Sequence, residues 1–196
     1  GGVIGCSVAY HLTKFGWRDV ILLERDQLTS GTTWHAAGLV SQLGPTAAVT
    51  KIRKYTLDLY KKLEKEVDHS AGLRLNGALS IAQTNSRWQE LKRQATTAQL
   101  YDVDIDILDS DTIKKRYPMM HTEDLKGGVL MSGDGAADPS GVTHMLAKAA
   151  RKGGAKIFEQ SPVEKILIKN KRVHGVKVNG QIIECEYIVL ACLLYT

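Results

Sequence analysis

The chain has 196 residues, of which 43% are hydrophobic and 24% charged, and 26 Lys and Arg against 21 Asp and Glu give a formal net charge of +5. This composition is typical of a globular protein with a buried core and excludes collagen-like and disordered classes. Three cysteines without a C-x-x-C pair exclude a disulfide scaffold and favour a reducing compartment. The sequence contains neither a signal peptide nor an apolar run approaching roughly 18 residues, the length that a membrane-spanning helix needs.

The first part of the chain predicts an alternation of helix and strand. Apolar residues recur at helical spacing within residues 6–16. Residues 20–23 form a continuous apolar run, typical of a buried parallel strand, that ends at Glu24. Residues 28–40 are rich in Gly, Thr and Ala, and they predict a loop.

A long amphipathic helix is predicted over residues 47–66. Its expected buried stripe consists of Val49, Ile52, Tyr55, Leu59 and Leu63. The basic residues of this helix are interleaved with acidic ones, which favours a solvated face over a nucleic-acid site. They are Lys51, Arg53, Lys54, Lys61, Lys62 and Lys65.

The rest of the chain predicts a mixed middle and a β-rich end. Predicted strands cover residues 79–82, 104–108 and 128–131, and predicted helices cover 86–99 and 110–117. Asp134 is expected to stabilise a Gly-Asp-Gly turn, and Asp138, followed by Pro139, to cap a helix that runs through Lys152. Further strands are predicted over 156–159, 163–169, 173–178, 181–184 and 187–191, the last as a buried strand that rejoins the first sheet.

The first five residues carry the clearest motif. Gly1-Gly2-Val3-Ile4-Gly5 opens into a helix and matches the later part of G-x-G-x-x-G, with its first Gly and preceding strand absent. Glycine lets the backbone approach a pyrophosphate, which the helix N-terminus attracts with unpaired N–H groups. Glu24 follows at the spacing of a carboxylate that binds ribose hydroxyls. The motif therefore predicts half of a nucleotide-binding site, with a merely structural tight turn as the alternative.

The loop after Leu28 is the second candidate. Its small residues let the backbone lie close to a ligand, and the hydroxyls of Thr32 and Thr33 suit phosphate or ribityl oxygens. His35 stands among small residues beside Trp34; taken alone, such a histidine is more often a packed or surface residue. No histidines pair at metal-ligand spacing, and no nucleophile signature is present, so we predict no metal and assign no catalytic residue.

The segment Gly1–Leu39, with Leu-Leu-Glu-Arg and Thr-Ser-Gly-Thr-Thr-Trp-His-Ala-Ala-Gly-Leu, resembles the dimethylglycine/sarcosine dehydrogenase branch of the D-amino-acid-oxidase-like FAD-dependent oxidoreductases. The similarity extends to about Ala191. The resemblance implies an α/β fold, with a Rossmann-like FAD-binding domain of the glutathione-reductase type and an interleaved α+β substrate domain. Residues 1–70 would begin the FAD-binding domain, 71–135 would belong to the substrate or cap region, and 136–196 would return to the FAD-binding domain.

The resemblance also implies a cofactor site. His35 matches the histidine that carries FAD covalently through the 8α-methyl group, as a tether that tends to raise the flavin potential. The implied contacts at the pyrophosphate are Gly2, Val3, Ile4 and Gly5. Glu24 and Arg25 would contact the adenosine ribose, and Val163 the adenine side. The loop along the pyrophosphate, ribityl chain and flavin would contribute Gly31, Thr32, Thr33, Trp34, His35, Ala36, Ala37, Gly38 and Leu39.

The activity implied is oxidative demethylation of an N-methyl amino acid, sarcosine or dimethylglycine. Hydride would pass to flavin N5, and the methyl carbon would leave as formaldehyde or be passed to tetrahydrofolate. An electron-transfer flavoprotein or oxygen would accept the electrons. No nucleic-acid or membrane partner is expected. The compartment would be the mitochondrial matrix in a eukaryote or the cytoplasm in a bacterium.

Three alternatives stay open. The chain could belong to another flavin amine oxidase, or to a non-catalytic homologue resembling the regulatory subunit of pyruvate dehydrogenase phosphatase, whose loop lacks the Trp-His pair. It could also be a non-functional piece. The chain does not begin with Met, and Ala191-Cys192 runs into residues 193–196 instead of the family's usual Gly. We therefore expect part of a longer protein, truncated or read in an altered frame at its end.

Overall fold

The computed structural model describes residues 1–192, so the unusual tail at residues 193–196 lies outside the described residues. The helices are α1 (Val3–Lys14), α2 (Ala47–Glu66), α3 (Asn85–Gln99), α4 (Ser110–Arg116) and α5 (Pro139–Lys152), with a 3₁₀ turn at Thr33–His35. The strands are β1 (Ile21–Leu23), β2 (Leu39–Val40), β3 (Ala78–Ala82), β4 (Asp106–Leu108), β5 (Gly127–Met131), β6 (Gly135–Ala136), β7 (Lys156–Phe158), β8 (Val163–Lys169), β9 (Arg172–Val178) and β10 (Gln181–Glu184).

The chain divides into two compact units. The first comprises residues 1–38, 62–72 and those from 138 onward, and the second comprises residues 39–61 and 73–137. Each unit contains both helices and strands, as the predicted α/β class requires. The division into three consecutive pieces at residues 70 and 135 stays a prediction.

The first unit packs α1 against α5 and pairs β1 with β7 in parallel. Asp138 caps α5 by accepting hydrogen bonds from Ser140 N at 3.1 Å and Gly141 N at 2.9 Å, which confirms the predicted cap. Strands β8, β9 and β10 form an antiparallel sheet in the same unit. Helix α1 begins three residues before its predicted start, because only Gly2 stays extended ahead of it.

The prediction of a final buried strand at residues 187–191 is wrong. Those residues form no strand, and Tyr187, Val189 and Leu190 are each at least 60% exposed. A strand needs a neighbour for its N–H and C=O groups, and among the described residues β1 pairs with β7 alone. The segment instead contacts α1 and its C-terminal extension, where Tyr187 packs edge-on against Trp17 at 5.5 Å between ring centroids.

The second unit contains the antiparallel sheet β3–β5–β4 and the short pair β2–β6. Helix α3 buries Leu91 and Ala95 against Ala82 of β3 and Val129 of β5. A second cluster buries Leu108, Ile113, Leu125 and Leu130. The pair β2–β6 was not predicted, since two residues per strand give no readable alternation.

The predicted burial of α2 is partly wrong, although its bounds match. Leu59 and Leu63 are buried as expected, whereas Ile52 is 64% and Tyr55 is 44% exposed. Leu57 and Thr50 are buried in their place. The buried face is therefore rotated relative to the predicted stripe in the first half of the helix, and this rotation changes which polar residues are accessible.

Candidate functional site

The N-terminus of α1 meets the 3₁₀ turn in the first unit. Val3 N donates a hydrogen bond of 3.0 Å to Thr33 Oγ1. Gly2 lies against the same hydroxyl, since a Cβ on Gly2 would stand 2.8 Å from it. Gly2 caps the helix with its backbone alone, without a side-chain hydrogen bond. The first amides of a helix have no partner within the helix, so this end presents N–H groups to an anion.

Glu24 lies at the carboxyl end of β1. Its Oε2 lies 2.5 Å from the Gly1 nitrogen, and its Oε1 accepts a 3.0 Å hydrogen bond from Asp26 N. The backbone is fixed by Glu24 N donating to Phe158 O of β7 at 2.9 Å. Partial burial raises the pKa of Glu24, but the hydrogen bonds that it accepts from the Gly1 nitrogen and from the backbone amides of Asp26 and Arg25 outweigh this and hold the pKa below its usual value. The carboxylate is therefore an ionised acceptor beside the glycine turn.

The turn Thr33–His35 presents two rings to solvent. Thr33 is buried, while Trp34 is 57% exposed and His35 is also exposed. The two rings stack with their centroids 3.9 Å apart and their planes tilted by 33°. An exposed imidazole held against an indole, on a turn whose first residue is fixed by Val3, is accessible to a reactive group of a ligand.

The structure brings some of the predicted site residues together and leaves others apart. Gly2, Val3 and Thr33 form one contacting set, and Glu24 joins Gly1 beside it. The residues Gly31, Thr32, Ala36 and Ala37 are exposed, Gly38 is half-buried, and Ile4 and Gly5 lie in the first turn of α1.

Three predicted contacts lie elsewhere. Arg25 is exposed and its Nε lies 3.1 Å from Asp26 Oδ2. Val163 begins β8, where it pairs with Val178. Leu39 is 82% exposed and belongs to the second unit. No described contact joins these three side chains to the set around Thr33, and their cofactor contacts stay predictions.

Cys6 lies in the first turns of α1 and is fully buried. Burial raises the pKa of this thiol to about 11. The thiolate, which is the reactive form, is therefore scarce near neutral pH. Cys6 is a packing residue of the helix and not a nucleophile.

Sequence reasoning missed a cavity of about 190 Å³ in the second unit. The residues that line it are Leu39, Val40, Ser41, Arg53, Thr56 and Tyr60. Assigning Arg53 to a solvated helix face was wrong, because its side chain is half-buried and its Nη1 donates to Leu43 O at 2.5 Å. The signal was present in the spacing of Arg53, Thr56 and Tyr60, which places three polar side chains on one face of α2.

Asp134 is a second residue whose environment the sequence did not reveal. It is fully buried, and Oδ1 accepts a hydrogen bond of 2.9 Å from Gln42 N. Its Oδ2 has no hydrogen-bond partner. Burial raises the pKa of Asp134, although Gln42 and the charge of Arg53 oppose this. The side chain of Asp134 therefore holds the segment at Gln42, 92 residues away, while the expectation that it stabilises its own Gly-Asp-Gly turn stays a prediction.

The whole chain, residues 1–196, matches the family model described as FAD dependent oxidoreductase. The chain is 38% identical over 196 residues to 4-methylaminobutanoate oxidase (formaldehyde-forming) of Paenarthrobacter nicotinovorans, covering 100% of this chain and 24% of that protein. It is 37% identical to human mitochondrial sarcosine dehydrogenase, over 96% of this chain and 21% of that protein. It is 34% identical to the mouse mitochondrial pyruvate dehydrogenase phosphatase regulatory subunit, over 96% of this chain and 22% of that protein.

Solved structures share the fold. L-proline dehydrogenase from P. horikoshii aligns with a TM-score of 0.86 and 26% identity, over 95% of this chain and 49% of that one. Glycine oxidase from Bacillus cereus aligns with a TM-score of 0.77 and 27% identity, over 94% and 51%. The chain thus spans about a quarter of the curated relatives and about half of these structures. Among residues 1–192, no helix combines the length and apolarity needed to cross a membrane.

Proposed function

The chain belongs to the family of FAD-dependent oxidoreductases, and on that premise we propose that it is the flavin-binding part of an enzyme that oxidatively demethylates N-methyl amino acids. The observation that carries the proposal is the hydrogen bond from Val3 N to Thr33 Oγ1. It fixes the turn that carries Trp34 and His35 to the helix end expected to bind a pyrophosphate. Relatives named for N-methyl substrates match the chain across both features.

The residues around α1 fit a dinucleotide. Gly2 is suited to this turn because any side chain there would meet the Thr33 hydroxyl, and its backbone would lie close to the pyrophosphate. The amides of Ile4 and Gly5, in the first turn of the helix, would donate to its oxygens. The ionised carboxylate of Glu24 would accept from the ribose hydroxyls, and Arg25 and Val163 would contact the adenosine end.

His35 would form the covalent bond to the cofactor. The bond requires an accessible ring nitrogen, and His35 is exposed with its ring against Trp34. The indole of Trp34 packs against one face of the imidazole, and the backbone of His35 belongs to the 3₁₀ turn. We assign His35 as a tether that would also raise the flavin potential, and not as a general base.

FAD, when bound, supplies a two-electron acceptor for oxidation of the N-methyl carbon. This chain's residues would orient that cofactor and hold its charges, and we assign none of them as a catalytic acid or base. The substrate would be sarcosine, dimethylglycine or 4-methylaminobutanoate, with the methyl carbon released as formaldehyde or passed to tetrahydrofolate. An electron-transfer flavoprotein or oxygen would be the acceptor, in the mitochondrial matrix of a eukaryote or the cytoplasm of a bacterium.

The test is made on the whole protein that contains this chain. The protein is denatured, separated on a gel and examined for flavin fluorescence, and the modified peptide is identified by mass spectrometry. We expect the flavin mass on the peptide containing His35, and its loss in His35→Ala. His174→Ala, which removes another exposed histidine of the same unit, is the matched control and should keep the bound flavin.

The other outcomes separate the alternatives. Flavin that binds but is released on denaturation would retain the FAD-binding role and remove the tether. A folded whole protein without any flavin would contradict the enzyme proposal and favour a regulatory homologue, to which the chain is also similar. Formaldehyde release with sarcosine, dimethylglycine and 4-methylaminobutanoate then identifies the substrate.

A further inference from the structure

The cavity of the second unit is lined by hydrogen-bond donors on one side and by aliphatic groups on the other. Arg53, Tyr60 and Ser41 supply a guanidinium and two hydroxyls, and Leu39 and Val40 of β2 supply the aliphatic side. No carboxylate is among the lining residues. The lining therefore carries a positive charge that no acidic member of the lining neutralises.

Arg53 is held in place before any ligand arrives. Its Nη1 donates to the carbonyl of Leu43, which leaves the remaining guanidinium N–H groups to face other acceptors. Asp134 lies close enough for the charge of Arg53 to influence its pKa, but it is not part of the lining. A guanidinium fixed by one backbone contact loses less conformational freedom on binding an anion than a mobile one.

Tyr60 complements Arg53 on the same face of α2. Burial raises the pKa of the Tyr60 hydroxyl, so it remains a protonated donor throughout the physiological range. Thr56, between the two, donates its hydroxyl proton to Ile52 O at 2.8 Å, so only its oxygen lone pairs face a ligand. Among residues 1–192, the side chain of Ser41 has no hydrogen-bond partner, and the residue is half-buried.

We propose that this cavity is a binding site for a small aliphatic carboxylate, with Arg53, Tyr60 and Ser41 as donors to its oxygens and Leu39 and Val40 against its alkyl chain. A planar guanidinium with adjacent hydroxyl donors matches the two oxygens of a carboxylate. The volume of about 190 Å³ is below the roughly 300–1,000 Å³ of pockets for drug-sized ligands, so the ligand has only a few carbon atoms.

The carboxylate could come from two sources. It could be the carboxylate of the N-methyl amino acid, in which case the inference rests on the proposed function, or it could be a separate small acid. Both share the chemistry that the lining recognises. Binding measured without turnover tests the site itself, and kinetics with paired substrates identify the source.

The probe is butyrate, titrated calorimetrically into the whole flavin-containing protein, with butyramide as its uncharged counterpart. We expect butyrate to bind about tenfold more tightly than butyramide, because a charged acceptor strengthens each hydrogen bond. Arg53→Gln should weaken butyrate binding about tenfold or more, and Tyr60→Phe should weaken it about threefold. Lys51→Gln removes one positive charge from the exposed face of the same helix and should leave butyrate binding unchanged.

Equal butyrate affinity in Arg53→Gln and Lys51→Gln would overturn the proposal, as would equal binding of butyrate and butyramide. If circular dichroism shows that Arg53→Gln does not fold, Arg53→Lys is used instead. It keeps the charge but loses the planar fork, and an unchanged affinity in that variant would also overturn the site.

The source of the carboxylate is identified by kinetics with two substrates, 4-methylaminobutanoate and N-methylbutylamine. Both have an N-methyl amine on a four-carbon chain, and only the first has a carboxylate. If the substrate carboxylate occupies the cavity, Arg53→Gln raises KM about tenfold for the acid, with kcat and the amine largely unaffected. If a separate acid occupies it, KM stays constant while butyrate binding is lost. Absence of turnover with both amines, and with sarcosine and dimethylglycine as well, would contradict the proposed function and leave the butyrate result intact.

Discussion

Two turns of this protein are each held by one buried polar side chain, and the two side chains differ in charge. In the first unit, the neutral hydroxyl of Thr33 accepts a hydrogen bond from Val3 N. In the second unit, the carboxylate of Asp134 accepts one from Gln42 N and keeps a buried oxygen without a partner. A hydroxyl costs little to bury once it is bonded, whereas a carboxylate loses its hydration as well.

The two turns therefore depend on their surroundings in different ways. The hydrogen bond that holds the Thr33 turn joins an amide and a hydroxyl, neither of which titrates near neutral pH, and it leaves the two rings of the turn exposed. The Asp134 turn is linked to the proton concentration and to nearby charge, since Arg53 lowers the pKa that burial raises.

Gly135→Ala should destabilise the second unit by about 3 kcal/mol or more. A Cβ on Gly135 would collide with the carbonyl oxygen of Arg74, whose backbone is bonded in both directions to Ala136. The backbone cannot move away without breaking that bridge. Chemical denaturation measures the loss, and Gly31→Ala, whose Cβ would meet nothing within 4 Å, is the control that should change stability by less than about 0.5 kcal/mol.

Asp134→Ala should lower the free energy of unfolding by about 2 kcal/mol, because the half-buried amide of Gln42 would lose a carboxylate acceptor. The same denaturation experiment gives this value. Asp134→Asn is the matched variant, since its carbonyl oxygen still accepts from Gln42 and its amide replaces the oxygen without a partner. A loss in Asp134→Asn as large as in Asp134→Ala would show that the charge itself, and not the acceptor, holds the turn.

Thr33→Val should lower the free energy of unfolding by about 1 kcal/mol, less than Asp134→Ala, because Thr33 Oγ1 accepts one hydrogen bond whereas Asp134 Oδ1 accepts two from Gln42. It should also lower the flavin content of the whole protein, measured by absorbance after purification. Thr33→Ser keeps the hydroxyl and should retain both properties. Normal flavin content in Thr33→Val would remove the role of this hydrogen bond in the proposed site.

The stability difference between wild type and Asp134→Asn should depend on pH. The pKa of Asp134 is raised in the folded state, so the unfolded chain releases its proton first as the pH rises above the usual 3.8. The wild type then loses stability relative to Asp134→Asn until the pH passes the folded pKa, and the difference is constant above it. Urea denaturation of both proteins at pH values from about 3.5 to 7 measures this. If the wild type instead gained stability relative to Asp134→Asn as the pH rises, the pKa of Asp134 would not be raised in the folded state.

The sequence predicted those parts of the fold that depend on local patterns. The period of apolar residues in α2 gives both of its ends, and the Asp138-Pro139 pair gives the start of α5. The strand at residues 187–191 was predicted from apolarity alone. Whether such a run pairs depends on a neighbouring strand far away in the chain, and no local pattern contains that information.

In the candidate site too, local motifs predicted some residues, whereas others depend on contacts between distant parts of the chain. Gly2 and Glu24 follow from a motif with fixed spacing, and the structure places both beside the N-terminus of α1. Thr33 was expected to face a ligand, but its hydroxyl bonds Val3, 30 residues away. Arg53 was assigned to solvent because the pattern of charges on α2 does not reveal that its guanidinium bonds the carbonyl of Leu43, outside the helix.

The parallel pairing of β1 with β7 has a consequence for how the protein is made. Leu28 N, just after Glu24, is bonded to Glu159 across 131 residues of sequence. At about 5–20 residues per second, a ribosome needs on the order of 10 s to synthesise that interval. Through that interval the glycine turn and Glu24 exist without the strand that fixes them. A cofactor that needs this edge can therefore be loaded only after β7 and Glu159 have been synthesised.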